Sequence, residues 1–229
     1  MCQPHEVFGL LFEPAALLAP VISVMKLVIL STLIFLSAAL AIRAYYLNQT
    51  LQIYLFKPLT MILIIVLALS GADPFSFYGS AILIGLIFSI VGDLLLIPEH
   101  LFTAGLVSFL LAHLCYLAAF AHWPVAPLGA LPFLLYIVLF LGVLWNKLGK
   151  LTAPVAVYAV VIASMGWLAV DRYLAHHDFA SLLAAAGAVL FIISDTILAS
   201  DKFKQPFKMA RLLVLSSYFL AQWLIALSV

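Results

Sequence analysis

Charge is what this sequence has least of. Only 8% of its 229 residues are Asp, Glu, Lys or Arg, against roughly 25% in a soluble domain, which needs them to cover its surface. With 67% hydrophobic residues and a mean hydropathy of +1.28, a water-soluble fold is excluded and the chain reads as a polytopic membrane protein. Net charge is +1, so there is no basic field to hold nucleic acid. Cysteine is scarce too: Cys2 and Cys115 make neither a Cys-x-x-Cys pair nor a disulfide framework. The Gly-x-Ser-x-Gly elbow, the Walker loop and the His-Glu-x-x-His helix are missing, and with them serine-hydrolase, nucleotide and zincin chemistry in their usual forms. A zinc hydrolase wants three nitrogen or carboxylate ligands. His113 plus two aspartates can supply them, but the other histidines fall in loops. The expectation is metal-independent chemistry without a cofactor.

What is present is a series of apolar runs, each long enough for the roughly 30 Å hydrocarbon core. There are eight, at about 25–45, 53–70, 75–97, 101–121, 125–145, 151–170, 179–200 and 208–228. The breaks between them are short, such as Gly71-Ala72-Asp73-Pro74, Pro98-Glu99-His100 and Trp123-Pro124. They leave no room for a soluble domain, so an all-α, eight-transmembrane-helix bundle over 25–229 is expected. Residues 1–24, with Pro4, Glu13, Pro14 and Pro20, read as an irregular or interfacial lead-in. The stretch from Met25 has signal-peptide features, but its apolar run is too long for an h-region and is kept as the first helix. With eight alternating spans one side receives Arg43, Lys57, Lys147, Lys150, Lys202, Lys204, Lys208 and Arg211, and the other only Lys26 and Arg172. The positive-inside rule then puts the loops after helices 1, 3, 5 and 7 in the cytoplasm and both termini outside it. In a bacterium this means the cytoplasmic membrane.

Two carboxylates stand out against this background. An ionised aspartate at bilayer depth costs about 2.5–3.5 kcal/mol on insertion scales. Yet Asp93 interrupts LIFSIVGDLLLIPE and Asp195 interrupts FIISDTILAS, each about one turn inside a helix end. Helices 3 and 7 run in the same direction, so both acids lie at similar depth near the cytoplasmic face. Gly92-Asp93-Leu94-Leu95-Leu96 matches Ser194-Asp195-Thr196-Ile197-Leu198 in pattern, a weak sign of a repeat. Gly85, Ser89 and Asp93 fall at i, i+4 and i+8, a small-residue stripe that favours close helix approach. Gly187, Phe191 and Asp195 repeat the spacing, so both acids should point into the bundle and share a site. Asp171, beside Arg172 where helix 6 is expected to end, reads as a solvated helix end.

Other polar side chains are candidates to line that site. Lys57-Pro58 suits the first turn of helix 2, with Lys57 either snorkelling to the interface or meeting a phosphate. His113 and Tyr116 share a face of helix 4, and Arg211, Tyr218 and Gln222 share one of helix 8. Phe88, Phe102, Phe109 and Phe120 read as packing rather than as a ligand box.

Taken together, Lys57-Pro58-Leu59-Thr60-Met61, Phe88-Ser89-Ile90-Val91-Gly92-Asp93, FLLAHLCY from Phe109, GAVLFIISDTILASDKF from Gly187, and Tyr218 with Gln222 resemble the YhhN-like lysoplasmalogenase family. The resemblance runs from helix 1 to the C-terminus. It implies an eight-helix membrane hydrolase that cleaves the vinyl ether bond of a lysophospholipid, lysoplasmalogen, to a fatty aldehyde and a glycerophospho-alcohol. It implies Asp93 and Asp195 as the catalytic pair; from their place in the spans, Lys57, Ser89, His113, Tyr116, Ser194, Arg211, Tyr218 and Gln222 are expected as supporting substrate contacts. A proton-coupled carrier is the main alternative, since intramembrane acids also relay protons. A structural membrane protein would leave both aspartates without a purpose.

Overall fold

The computed structural model describes residues 14–122 and 124–229, with side chains from residue 21 onward. Every regular element among the described residues is helical: α1 (Pro14–Tyr46), α2 (Thr50–Leu69), α3 (Phe77–Leu95), α4 (Phe102–Phe120), α5 (Leu131–Leu148), α6 (Thr152–His176), α7 (Phe179–Ala199) and α8 (Ala210–Leu227). Residues 1–13 of the expected lead-in, and Trp123 of the fourth break, lie outside the described residues. From Pro14 onward the chain is already helical, well ahead of Met25. Apolar runs without water have one economical way to satisfy their backbone N–H and C=O groups, and that is helix.

Local signals set the ends. Ser76 caps α3, its Oγ accepting from Gly79 N at 3.0 Å, and Asp178 caps α7, its Oδ1 accepting from Ser181 N at 2.8 Å. Asn48 takes φ 52° in the turn after α1, a conformation its short polar side chain tolerates. Because α2 starts at Thr50, right after that turn, Pro58 lies inside the helix rather than in its first turn. It has no N–H for the Tyr54 carbonyl, a loss that membrane helices survive when neighbours re-satisfy the backbone.

Among the described residues, seven segments are long and apolar enough to cross a membrane, which makes this a multi-pass integral membrane protein. One of the seven, Pro127–His176, contains both α5 and α6. The eight expected runs therefore correspond to eight helices but to seven such segments. α5 and α6 meet at a single 3-10 turn, Gly149–Leu151, where Gly149 adopts φ 54°.

The helices pack chiefly with their neighbours in sequence, α3 on α4, α7 on α8 and α1 on α2, while α6 joins α7 to α4 and α8 reaches back to α2 and α1. One core runs through all of them but α5, with Ile34, Met61, Ile82, Tyr116, Met165, Phe191 and Phe219 buried together. The stripe on α3 is buried as expected. At Gly85 a Cβ would run into the Tyr116 ring, so α3 and α4 approach closely only because glycine is there. α5 stands apart. It contributes no buried residue to the main core, and its Leu144 and Leu148 pack in a small second cluster with Val155 and Ala199.

Asp171 is not a solvated helix end. α6 continues past it to His176, and the side chain is only 5% exposed. Its carboxylate lies 3.1 Å from His122 Nε2 and accepts from Ala126 N at 3.1 Å. The α4–α5 connection folds over it, and a buried carboxylate needs such partners. Arg172 turns away, its guanidinium 4.8 Å above the Tyr78 ring.

Candidate active site

One cavity holds both Asp93 and Asp195. Its walls come from the C-terminal halves of α3 and α7 and the N-terminal halves of α4, α6 and α8, joined by Tyr45 at the end of α1, Lys57 in α2 and Tyr136 and Phe140 in α5. It therefore lies at one end of the bundle, the end where most lysines and arginines gather. Of the residues proposed from sequence, Lys57, Asp93, Ser194, Asp195, Arg211 and Tyr218 line it.

The two aspartates have different surroundings. Asp93 is almost fully buried, its side chain 2% exposed. Lys57 Nζ sits 3.1 Å from Oδ1 and also donates to the Asp93 carbonyl at 3.2 Å, while Tyr218 donates its hydroxyl to Oδ2 at 2.8 Å. Lys57 is thus not a snorkelling lysine. It is as buried as its partner, because only an ion pair with further hydrogen bonds compensates two charges taken out of water. Asp195 is 15% exposed and its nearest basic group is His113 Nε2, 3.9 Å from Oδ2. Tyr158 donates a hydroxyl to the same oxygen. Among the described residues, no lysine or arginine pairs with Asp195, and its Oδ1 makes no hydrogen bond.

His113 does not line the cavity. It is fully buried among the rings of Phe191, at 4.5 Å, and Tyr158, at 5.2 Å, and neither of its nitrogens has a hydrogen-bond partner. Ser89, Tyr116 and Gln222 also lie outside the cavity wall, in a closed network behind Asp93. Tyr116 donates to Gln222 Oε1 at 2.7 Å, and Gln222 Nε2 donates to Ser89 Oγ at 2.9 Å. Ser89 in turn donates to the Gly85 carbonyl at 2.9 Å. This network fixes α3, α4 and α8 against one another. Ser194 donates to the Val214 carbonyl at 3.0 Å, tying α7 to α8. Arg211 lies with its guanidinium 4.8 Å from the Tyr45 ring. Among the described residues no three His, Cys, Asp or Glu side chains gather as a metal ion would require.

Residues 52–229 match the YhhN family. The chain belongs to that family. Among its relatives, YhhN of Escherichia coli O6:H1 is 30% identical over 203 residues, 84% of this chain and 94% of its own length. Lysoplasmalogenase TMEM86A of Bos taurus is 38% identical over 156 residues, which cover 64% of each chain. Lysoplasmalogenase TMEM86B of Sus scrofa is 34% identical over 169 residues, 73% of this chain and 71% of its own. This YhhN-family chain thus spans 64% of the length of the TMEM86A relative. No solved structure matches it.

Within this YhhN-family site, sequence reasoning missed Tyr158 and Tyr136. Each places a hydroxyl inside an apolar helix, where it needs a partner, and that was the available signal. Tyr158 finds Asp195 and Tyr136 finds Thr196 Oγ1 at 3.0 Å. Phe102 and Phe109, read from sequence as packing, also line the cavity.

Proposed function

We propose that this chain is a lysoplasmalogenase, hydrolysing the vinyl ether bond of a lysophospholipid by acid–base catalysis between Asp195 and Asp93. One observation carries the division of labour: Asp93 is paired with a lysine and Asp195 is not. The TMEM86A and TMEM86B relatives, both lysoplasmalogenases, supply the substrate class.

A vinyl ether is cleaved by protonating its β-carbon, which leaves an oxocarbenium ion. Asp195, without a cation beside it, carries the proton and delivers it from its free oxygen. Tyr158 holds the other oxygen. Asp93, kept as a carboxylate by Lys57 and Tyr218, stabilises the oxocarbenium ion and takes a proton from the attacking water. The resulting hemiacetal collapses to a fatty aldehyde and a glycerophospho-alcohol. Two-carboxylate glycoside hydrolysis divides acid and base in the same way around a similar cation. Arg211 and Lys202, both on the cavity wall, are placed to meet the phosphate, while the network behind Asp93 serves as scaffold.

The same reading takes the segment Pro127–His176 as two crossings. As one helix its 50 residues would be about 75 Å long at 1.5 Å per residue, far beyond the bilayer, and the turn at Gly149 divides it. Eight crossings then put the basic end and the cavity on the cytoplasmic side, with both termini opposite. The test is direct. Purified protein given lysoplasmalogen should release fatty aldehyde, and no aldehyde release by well-folded protein would sink the proposal in favour of a carrier.

A further inference from the structure

We infer that the hydrocarbon chain of the substrate leaves the cavity sideways, between α5 and α7, and lies in an apolar groove there. The inference rests on the lysoplasmalogenase reading, because it takes the single chain of a lysolipid as occupant.

The cavity around the aspartates has a volume of about 150 Å³. Pockets that enclose a drug-sized ligand run to roughly 300–1,000 Å³. The reacting bond and part of the head group fit, but a long chain attached to that bond does not. It must extend beyond the cavity, and the surface it lies on there must be apolar. A second hollow of about 420 Å³ adjoins on the outside of α5. Leu135, Leu139 and Val143 form its outer lip, each more than half exposed. It carries no charged residue, and its hydroxyls are those of Tyr136, Thr196 and Ser200. That chemistry suits a hydrocarbon and rejects a phosphate.

The two hollows share Tyr136 and Phe140. Their rings stack with centroids 5.5 Å apart, and Tyr136 is held by its hydrogen bond to Thr196, the residue after Asp195. The partition between groove and cavity therefore abuts the proton donor. α5 is also the helix whose displacement disturbs least. Only Leu144 and Leu148 in it are buried, both near its hinge-like junction at Gly149. Swinging the opposite part of α5 outward breaks one side-chain hydrogen bond and lifts the half-buried Phe133 and Tyr136 off the main core without taking a fully buried residue from it. The vinyl ether, first bond of the chain, then comes to rest beside Asp195 as the chain threads past Tyr136.

Two experiments on the full-length protein in nanodiscs test this. An alkyl-ether lysophospholipid, which cannot be hydrolysed, is given a photoreactive diazirine midway along its chain and irradiated with the wild-type protein. Labelling should concentrate on Leu139, Val143 and Thr196 and be displaced by unlabelled lysoplasmalogen. Labelling confined to other helices, or not displaced, overturns the inference. In the second, Leu139→Trp and Val143→Trp fill the groove from its exposed lip. KM for a long-chain lysoplasmalogen should rise about tenfold or more, while a short-chain vinyl ether is cleaved as by wild type. Unchanged long-chain kinetics count against the groove. Displaceable labelling of the groove by a protein that cleaves no vinyl ether would sink the enzymatic reading and leave the lateral site standing. Cleavage with an unlabelled groove does the reverse.

Discussion

Asp93 and Asp195 are the same side chain in two settings, and the consequences are separable by substitution. Asparagine is nearly isosteric with aspartate but neither donates an acidic proton nor accepts one. Asp195→Asn should insert and pack normally, whereas Asp93→Asn should still fold but less stably, because it takes the counter-charge from buried Lys57. Each should lose vinyl ether hydrolysis by about 10²-fold or more, the scale of a lost general acid or base. The double variant should be little worse than either single one, since residues acting as a unit are non-additive. Near-full aldehyde release by a folded single variant would end the two-carboxylate mechanism. Lys57 makes a different prediction. Removing one partner of a buried ion pair leaves an uncompensated charge, at about 3–5 kcal/mol. Lys57→Met should therefore lower the unfolding temperature in detergent clearly, and adding Asp93→Asn should recover most of it. If the double variant is no more stable than Lys57→Met, the two residues are not coupled as their 3.1 Å separation requires. Asp93 and Asp195 were legible in the sequence as costly groups at one depth. The partner of Lys57 was not, because 36 positions separate it from Asp93 and nothing local marks the pair.

At the level of the helix, the caps were the least visible features and are the easiest to test. The Asp178 carboxyl lies outside the spans and is held below the ordinary carboxylate value, chiefly by the hydrogen bond from the Ser181 backbone N–H. A carboxyl lowered on folding adds stability above its unfolded value, and that stability is lost as pH falls through the folded value. Wild type should thus be more stable than Asp178→Ala near neutrality, with the gap closing in acid. Asp178→Asn keeps a good cap at every pH, so its margin over Asp178→Ala should hold throughout. Parallel acid profiles for wild type and Asp178→Asn, measured by thermal unfolding in detergent, would show that the carboxylate form is not what caps α7. Asp171 shows the limit of reading one helix at a time. Beside Arg172 it looks solvated, but the loop that buries it belongs to a different part of the chain.

For the whole molecule, the proposed eight crossings fix where each loop must lie. Reporter fusions after Leu148 should read as cytoplasmic and fusions at Val229 as external. Seven crossings would instead put the C-terminus on the opposite side from that expected. Neutralising Lys147 and Lys150 should weaken the preference without inverting it, because six basic residues remain on that side. Inversion would mean that orientation rests on those two alone. α5 is where the whole and its parts diverge. Its sequence is among the most apolar of the spans, and nothing in it announces a helix with no buried residue in the main core.

Composition and spacing by themselves determined that this chain is helical and membrane-embedded, and that two acids sit near the ends of two of its apolar helices. These are local properties, set by the thickness of a bilayer and the 3.6-residue period. Only the tertiary structure decided that Lys57 answers Asp93, that Tyr158 and His113 flank Asp195, and that α5 lines the cavity while placing no buried residue in the main core. Each depends on contacts between helices remote in the chain, where a side chain's partner is chosen by packing and not by sequence neighbours.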